Sequence, residues 1–243
     1  MRTPARSKIR LAAAALVALA ALSGCGSASA PSAPTGVDGL VVPTPDPRPS
    51  DFVDAIDNPW FPLLPGARWE YDVARATTEE LVLEVEPGGE IAGVSTTVLV
   101  RTSSDGAVVR DHYAQDTEGN VWWFGREADT GAWEAGVDGA EAGLAMPAEP
   151  RRGDGFVSGR AGGEDEVASV VAVGDAVDVP LGEYDDTVTL EVVDSGFTRR
   201  DVYARGIGLV RTGEAGLTVF DGASASSLRS AALPRTRLAS VDG

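Results

Sequence analysis

The chain has 243 residues, with 37 acidic and 20 basic side chains, a formal net charge of −17 and 43% hydrophobic residues. So acidic a surface repels phosphate backbones and excludes nucleic acid as a partner. A single His and a single Cys exclude a multi-histidine metal centre and an internal disulfide framework.

Residues 1–24 read as a signal peptide. Arg2, Arg6, Lys8 and Arg10 form a basic region, and Leu11 to Leu22 is an apolar run too short for an ordinary transmembrane helix. The run ends in Leu22-Ser23-Gly24-Cys25, which resembles a bacterial lipobox. In that reading Cys25 carries lipid and becomes the new N-terminus, so the protein is anchored on the extracytoplasmic face of the cell membrane. Removing residues 1–24 takes away four basic residues and no acidic one, which leaves 16 basic against 37 acidic, near −21. Such a charge argues against a polybasic membrane contact and leaves the lipid as the attachment. Residues 25–50 form a tether, in which Pro43, Pro45, Pro47 and Pro49 alternate and favour an extended chain.

The folded part is expected over 51–221, with a tail over 222–243. Asn58-Pro59-Trp60-Phe61-Pro62-Leu63-Leu64-Pro65 has proline at every third position, so it is neither a helix interior nor a central strand. Its apolar side chains predict an extended segment laid over the rim or an edge of a sheet. Short strands follow at 67–73, 80–85, 94–101, 108–115, 121–124 and 132–134, separated by Gly, Pro and Asp clusters. Residues 134–152, rich in Gly and Pro, read as a connection. Further strands are expected at 155–160, 167–173, 176–179, 187–193, 197–204, 208–212 and 217–220.

The chain is organised around Asp111-His112-Tyr113-Ala114 and Val121-Trp122-Trp123-Phe124, the arms of a hairpin whose turn, Asp116 to Asn120, contains Gly119. Adjacent residues of a strand face opposite sides, so of Trp122 and Trp123 one enters the core and the other needs a second layer, a ligand or water. The pattern returns as Asp201-Val202-Tyr203-Ala204 followed by Gly208-Leu209-Val210. Two related meanders, about 65–127 and 152–214, follow from this echo. The expected fold is one all-β domain of antiparallel meanders forming a curved sheet, a sandwich or an open barrel.

Chemistry is sparse. Sequence signatures of nucleotide, haem and iron–sulfur cofactors are lacking, and no Gly-x-Ser-x-Gly elbow occurs. Asp116, Glu118 and Asn120 alternate as calcium ligands do, although a hairpin turn calls for the same residue types. The large rings of Trp60, Trp69, Tyr113, Trp122, Trp123 and Tyr203 suit either a core or an apolar ligand cavity.

Asn58-Pro59-Trp60-Phe61-Pro62-Leu63, Pro65-Gly66 and Trp69-Glu70-Tyr71 resemble the opening of a family of uncharacterised actinobacterial secreted proteins and lipoproteins. The resemblance continues through Tyr113-Ala114-Gln115-Asp116, Gly119-Asn120-Val121-Trp122 and Gly206-Ile207-Gly208-Leu209-Val210. It implies an envelope-facing β domain and carries no catalytic residues over. Three functions are compatible with the sequence. A non-enzymatic lipoprotein that holds an apolar or amphipathic ligand, or an envelope protein, comes first. A structural module of the envelope comes second. A hydrolase using carboxylates such as Asp111, Asp116 or Glu118 comes third.

Overall fold

The computed structural model describes residues 48–73, 80–161, 164–194 and 196–222. The signal segment, Cys25, most of the tether and the tail after Gly222 lie outside the described residues. A single 3-10 turn, Pro49–Asp51, precedes the sheet. The strands are β1 (Phe52–Val53), β2 (Arg68–Val73), β3 (Glu80–Ile91), β4 (Val94–Ser103), β5 (Val108–Asp116), β6 (Val121–Ala128), β7 (Gly131–Glu134) and β8 (Glu141–Met146). They continue as β9 (Gly155–Ala161), β10 (Glu164–Val173), β11 (Val177–Val179), β12 (Gly182–Tyr184), β13 (Thr187–Asp194), β14 (Phe197–Ala204), β15 (Gly208–Thr212) and β16 (Ala215–Asp221).

Twelve of these strands close on themselves in the order β5-β4-β3-β2-β16-β15-β14-β13-β10-β9-β8-β6, with β6 pairing back to β5. The all-β expectation holds, and the barrel is closed rather than open. Closure satisfies the backbone groups that a free edge would expose. Strands β1 and β7 add to β5 and β6 outside the cycle, and β11 pairs with β12 in a separate hairpin.

Two five-strand meanders make up most of the wall: β2 to β6, and β9, β10, β13, β14 and β15. These correspond to the two echoing segments of sequence. Strand β8 joins them at one seam and β16 at the other. Each carries a bulge at the same place. Opposite His112 and Tyr113, strand β6 offers Gly125 and Trp123 and leaves Phe124 extra. Opposite Val202 and Tyr203, strand β15 offers Arg211 and Leu209 and leaves Val210 extra.

Residues 134–152 are more ordered than their composition suggests, because they contain β8. The glycine that argued against a strand is what permits it. A Cβ on Gly143 would lie 2.2 Å from the carbonyl carbon of Ser158 on the neighbouring strand. Strands β1 and β12, too short to show a pattern, were not foreseen either.

The proline-spaced segment closes one mouth of the barrel and covers no edge. Asn58 donates to the carbonyls of Gly119 and Pro147 and accepts from the amides of Trp60 and Phe61. The Gln115 side-chain oxygen accepts from the amides of Asp57 and Asn58, and Gly206 N–H donates to Pro59 O. The segment is thus tied to the β5–β6 turn, to the chain after β8 and to the β14–β15 turn. Between these ties Phe61 enters the lumen.

Ion pairs stud the outer wall, among them Arg68 with Glu70 and Glu84, Arg110 with Glu86, and Arg200 with Glu191. A membrane-spanning barrel presents an apolar band there, and this charged wall suits water.

Candidate functional site

Alternation along the strands selects the lumen side chains. Val109, Asp111 and Tyr113 share one face of β5, and Arg199, Asp201 and Tyr203 share one face of β14. These two strands lie six positions apart in either direction around the cycle. Phe61 nevertheless meets both tyrosines edge-on, at centroid distances of 5.1 Å from Tyr113 and 5.7 Å from Tyr203. Opposite walls of the barrel therefore converge on the plug, and each such ring pair adds about 0.5–1.5 kcal/mol beyond the area it buries. The indole of Trp69 donates to Ile207 O and the phenol of Tyr71 to Leu209 O, which fixes β2 against the β14–β15 region.

Beyond this aromatic floor a cavity of about 90 Å3 remains in the lumen. Tyr113, Tyr203, Trp123, Leu99 and Leu190 line its apolar part, and Arg101, Arg126, Arg199 and Glu166 its polar part. The polar groups stand one or two rungs along their strands from the rings, all toward the end that Phe61 does not fill.

The bulge on β6 builds this arrangement. Trp123 and Arg126 are three residues apart and would face opposite sides of a regular strand. With Phe124 extra, Trp123 pairs with Tyr113 and Arg126 with Asp111, so both face inward. The Arg126 guanidinium lies 4.5 Å from the centroid of the Trp123 ring, a cation–π contact. Gly159 makes room for this indole, since a Cβ there would come within 2.9 Å of it. The Trp123 Nε1–H is buried and has no acceptor among the described residues.

Two buried carboxylates anchor the arginines. Asp111 accepts from Arg126 Nε at 2.7 Å and Nη2 at 3.3 Å, and Arg101 Nη2 stands 3.5 Å away. Asp201 accepts from Arg199 Nε at 2.9 Å and from Thr212 Oγ1 at 2.6 Å. Glu166 accepts from Ser158 Oγ at 2.9 Å and lies 4.0 Å from Arg199. The acidic side chains are 0%, 6% and 12% exposed for Asp111, Asp201 and Glu166, whereas Arg101, Arg126 and Arg199 are 35%, 27% and 39% exposed. The face turned to solvent at the mouth is cationic.

Burial holds the Tyr113 and Tyr203 phenols well above the ordinary tyrosine range, and the neighbouring Asp111 and Asp201 charges push the same way. Both rings stay neutral and act as apolar walls with a hydroxyl. Burial works to lower the Arg126 and Arg199 guanidiniums, but the adjoining carboxylates outweigh it and both end raised.

Three of the six rings singled out in the sequence, Tyr113, Trp123 and Tyr203, meet in this cavity. Trp60 is buried beneath the Arg205 guanidinium, which lies 4.1 Å from its centroid, and Trp69 stacks on Phe220. Trp122 faces outward and lines a second cavity of about 250 Å3 with Pro147, Arg151 and Phe156. It is covered by the chain that follows β8, the second layer that one of the paired indoles required.

Asp111, Asp116 and Glu118 are not brought together. Asp116 builds its own turn, accepting from the amides of Glu118 and Asn120, from Asn120 Nδ2 and from Trp122 Nε1. Asn120 Oδ1 accepts from the Ala148 amide. Of the oxygens considered for calcium, those of Asp116 and Asn120 are engaged within the turn and its neighbours, and among the described residues no group of three or more His, Cys, Asp or Glu is arranged to hold a metal. His112 lies on the outer face between Thr96 and Glu127.

Sequence reasoning missed Arg101, Arg126, Arg199, Glu166, Asp201 and Thr212. The spacing Arg199-x-Asp201-x-Tyr203 carried a signal, since charged residues that share a strand face with a core tyrosine must line an interior.

No family model matches the chain, and no curated protein matches it. Among solved structures it is similar to a protein from Bacteroides fragilis, inferred to be exported and described as having a YmcC-like fold. Sequence identity is 16%, with 67% of this chain and 99% of that chain covered, at a TM-score of 0.34. That likeness is too slight to argue from, and the barrel is read from its own strand pairing.

Proposed function

We propose that this chain is a lipid-anchored extracytoplasmic binding protein whose barrel holds an apolar or amphipathic ligand. The observation that carries the reading is the cavity itself, stopped at one end by Phe61, floored by Tyr113, Tyr203 and Trp123 and polar at the other end. Small-molecule sites are concave and mostly apolar, with a few placed polar groups, and an enclosed space of about 90 Å3, open at its polar end, takes the buried part of a ligand and leaves the rest in the mouth. Location rests on the sequence: the basic and apolar regions before Cys25 supply the anchor, and the proline-rich tether supplies reach. The outer ion pairs support a barrel that stands in water above the membrane. Non-enzymatic binding fits the lumen better than hydrolysis does, because Asp111 and Asp201 are each already paired with an arginine.

The test is native mass spectrometry of the mature chain isolated from its host envelope. Expected is a mass above that of the lipidated polypeptide by one small organic molecule, lost on denaturation. A bare lipidated mass in every preparation, with no uptake of added amphiphile, contradicts the reading.

A further inference from the structure

The proposed binding site is a cup, closed by Phe61 and open at its polar end, and the lumen specifies the chemistry of the ligand's polar part. We infer that the ligand carries an anionic head group, a carboxylate or a phosphate, seated among Arg101, Arg126 and Arg199 with its apolar part against Tyr113, Tyr203 and Leu190. This rests on the proposed binding function and refines it.

Three guanidiniums line the polar part of the cavity, and guanidinium N–H groups donate and cannot accept. The Tyr113 and Tyr203 hydroxyls can donate to a ligand as well, and Glu166 is engaged by Ser158 Oγ and stands beside Arg199. Arg126 takes both oxygens of Asp111, at 2.7 and 3.3 Å, which leaves Arg101 at 3.5 Å, the edge of hydrogen-bonding range. Most of the fork of Arg101 therefore faces the cavity and solvent. A head group that only accepts, and that carries charge, suits this set.

Placement of charge agrees. The three carboxylates of the lumen are nearly or fully buried behind the arginines, and the arginines are the partly exposed members. On a chain of formal charge −17 this mouth is a local exception. Planar guanidinium forks also match carboxylate and phosphate oxygens in pairs. The apolar side of the cavity, with Leu99 and Leu190 beside the two tyrosines, asks for a hydrocarbon or ring on the same molecule.

Residues 26–243 keep every strand of the barrel and dispense with the lipid. Their tryptophan fluorescence is followed during titration with octanoate, octyl phosphate, octanol and octyltrimethylammonium, which share one tail and stay monomeric in water. Expected is saturable binding of the two anions, at least about tenfold tighter than octanol, with the cation weakest. Arg101→Gln should shrink the preference for octanoate over octanol by roughly tenfold, while Arg110→Gln, on the outer wall with Glu86, leaves it unchanged. Octanoate against octyl phosphate ranks the two head groups. Octanol or the ammonium bound as tightly as the anions, or a preference untouched by Arg101→Gln, overturns the head-group inference and leaves the cup standing. Failure of all four to bind overturns the cup, and this inference with it.

Discussion

The two meanders of the barrel use one scaffold and complete it differently. Each places Asp, then Tyr two residues later, on the lumen face of a strand, and each sets a bulge in the following strand opposite that pair. Leu99 of β4 and Leu190 of β13 occupy matching rungs, opposite Asp111 and Asp201. The partners then diverge. Asp111 is met by Arg126 from across the bulge, whereas Asp201 finds Thr212 in the matching place and takes its arginine, Arg199, from its own strand. Where the first meander has Trp123, the second has Leu209. The scaffold fixes where carboxylate and phenol sit, and the divergence distributes three guanidiniums around one mouth instead of stacking them in two equivalent places. The two halves thereby present one asymmetric set of guanidiniums.

Phe61 is the strongest point at which to break the comparison, because it is the ring shared by both tyrosines. Phe61→Ala should lower stability by about 3–5 kcal/mol, the usual loss for a buried aromatic, read by urea unfolding. A loss under about 1 kcal/mol would mean that the two walls do not depend on the plug. The buried acids come next. Asp111→Ala strands Arg126 and the nearby Arg101 and should cost about 3–5 kcal/mol. Asp201→Ala leaves a neutral Thr212 and a more exposed Arg199, and should cost less, about 1–3 kcal/mol. Equal losses would show that the two halves are energetically interchangeable. Thr212→Val keeps the shape and removes one donor to Asp201, for about 1–2 kcal/mol.

The mildest perturbation does nothing at neutral pH. Tyr71, Tyr113 and Tyr203 are held above the ordinary tyrosine range chiefly by burial, so folded barrels retain phenol protons that the unfolded chain releases near pH 10. The unfolded state then binds fewer protons than the native one, and stability falls as pH rises above about 10. Ultraviolet titration should show Tyr184, only partly buried, ionising first and the other three following on unfolding. Four phenols titrating together below unfolding would contradict the buried positions.

Much of the wall was legible in the sequence because its signals are local. Apolar and β-branched runs, and turns such as Asp116 to Asn120 with Gly119 at positive φ, mark strands without reference to the rest of the chain. The Asp-x-Tyr-Ala echo also marked the two places where the meanders share a register. Closure was not legible, since it depends on β6 meeting both β5 and β8 and on β16 meeting β2 across 148 residues, as Thr218 does when it bonds Glu70 O. Strand β8 was hidden for a related reason: Gly143 answers to the backbone of Ser158, a neighbour only in space. The arginine mouth escaped because a bulge moved Arg126 to the face that simple alternation denies it.

The most direct measurement is the set of five tryptophan indole N–H resonances as octanoate is added to 15N-labelled residues 26–243. The account predicts that the Trp123 signal moves saturably as the ligand seats against its ring and the Arg126 guanidinium that lies on it, while the Trp122 signal, already bonded to Asp116, holds still. A saturable shift of Trp122 with Trp123 unmoved would put the ligand in the outer cavity and contradict the lumen site.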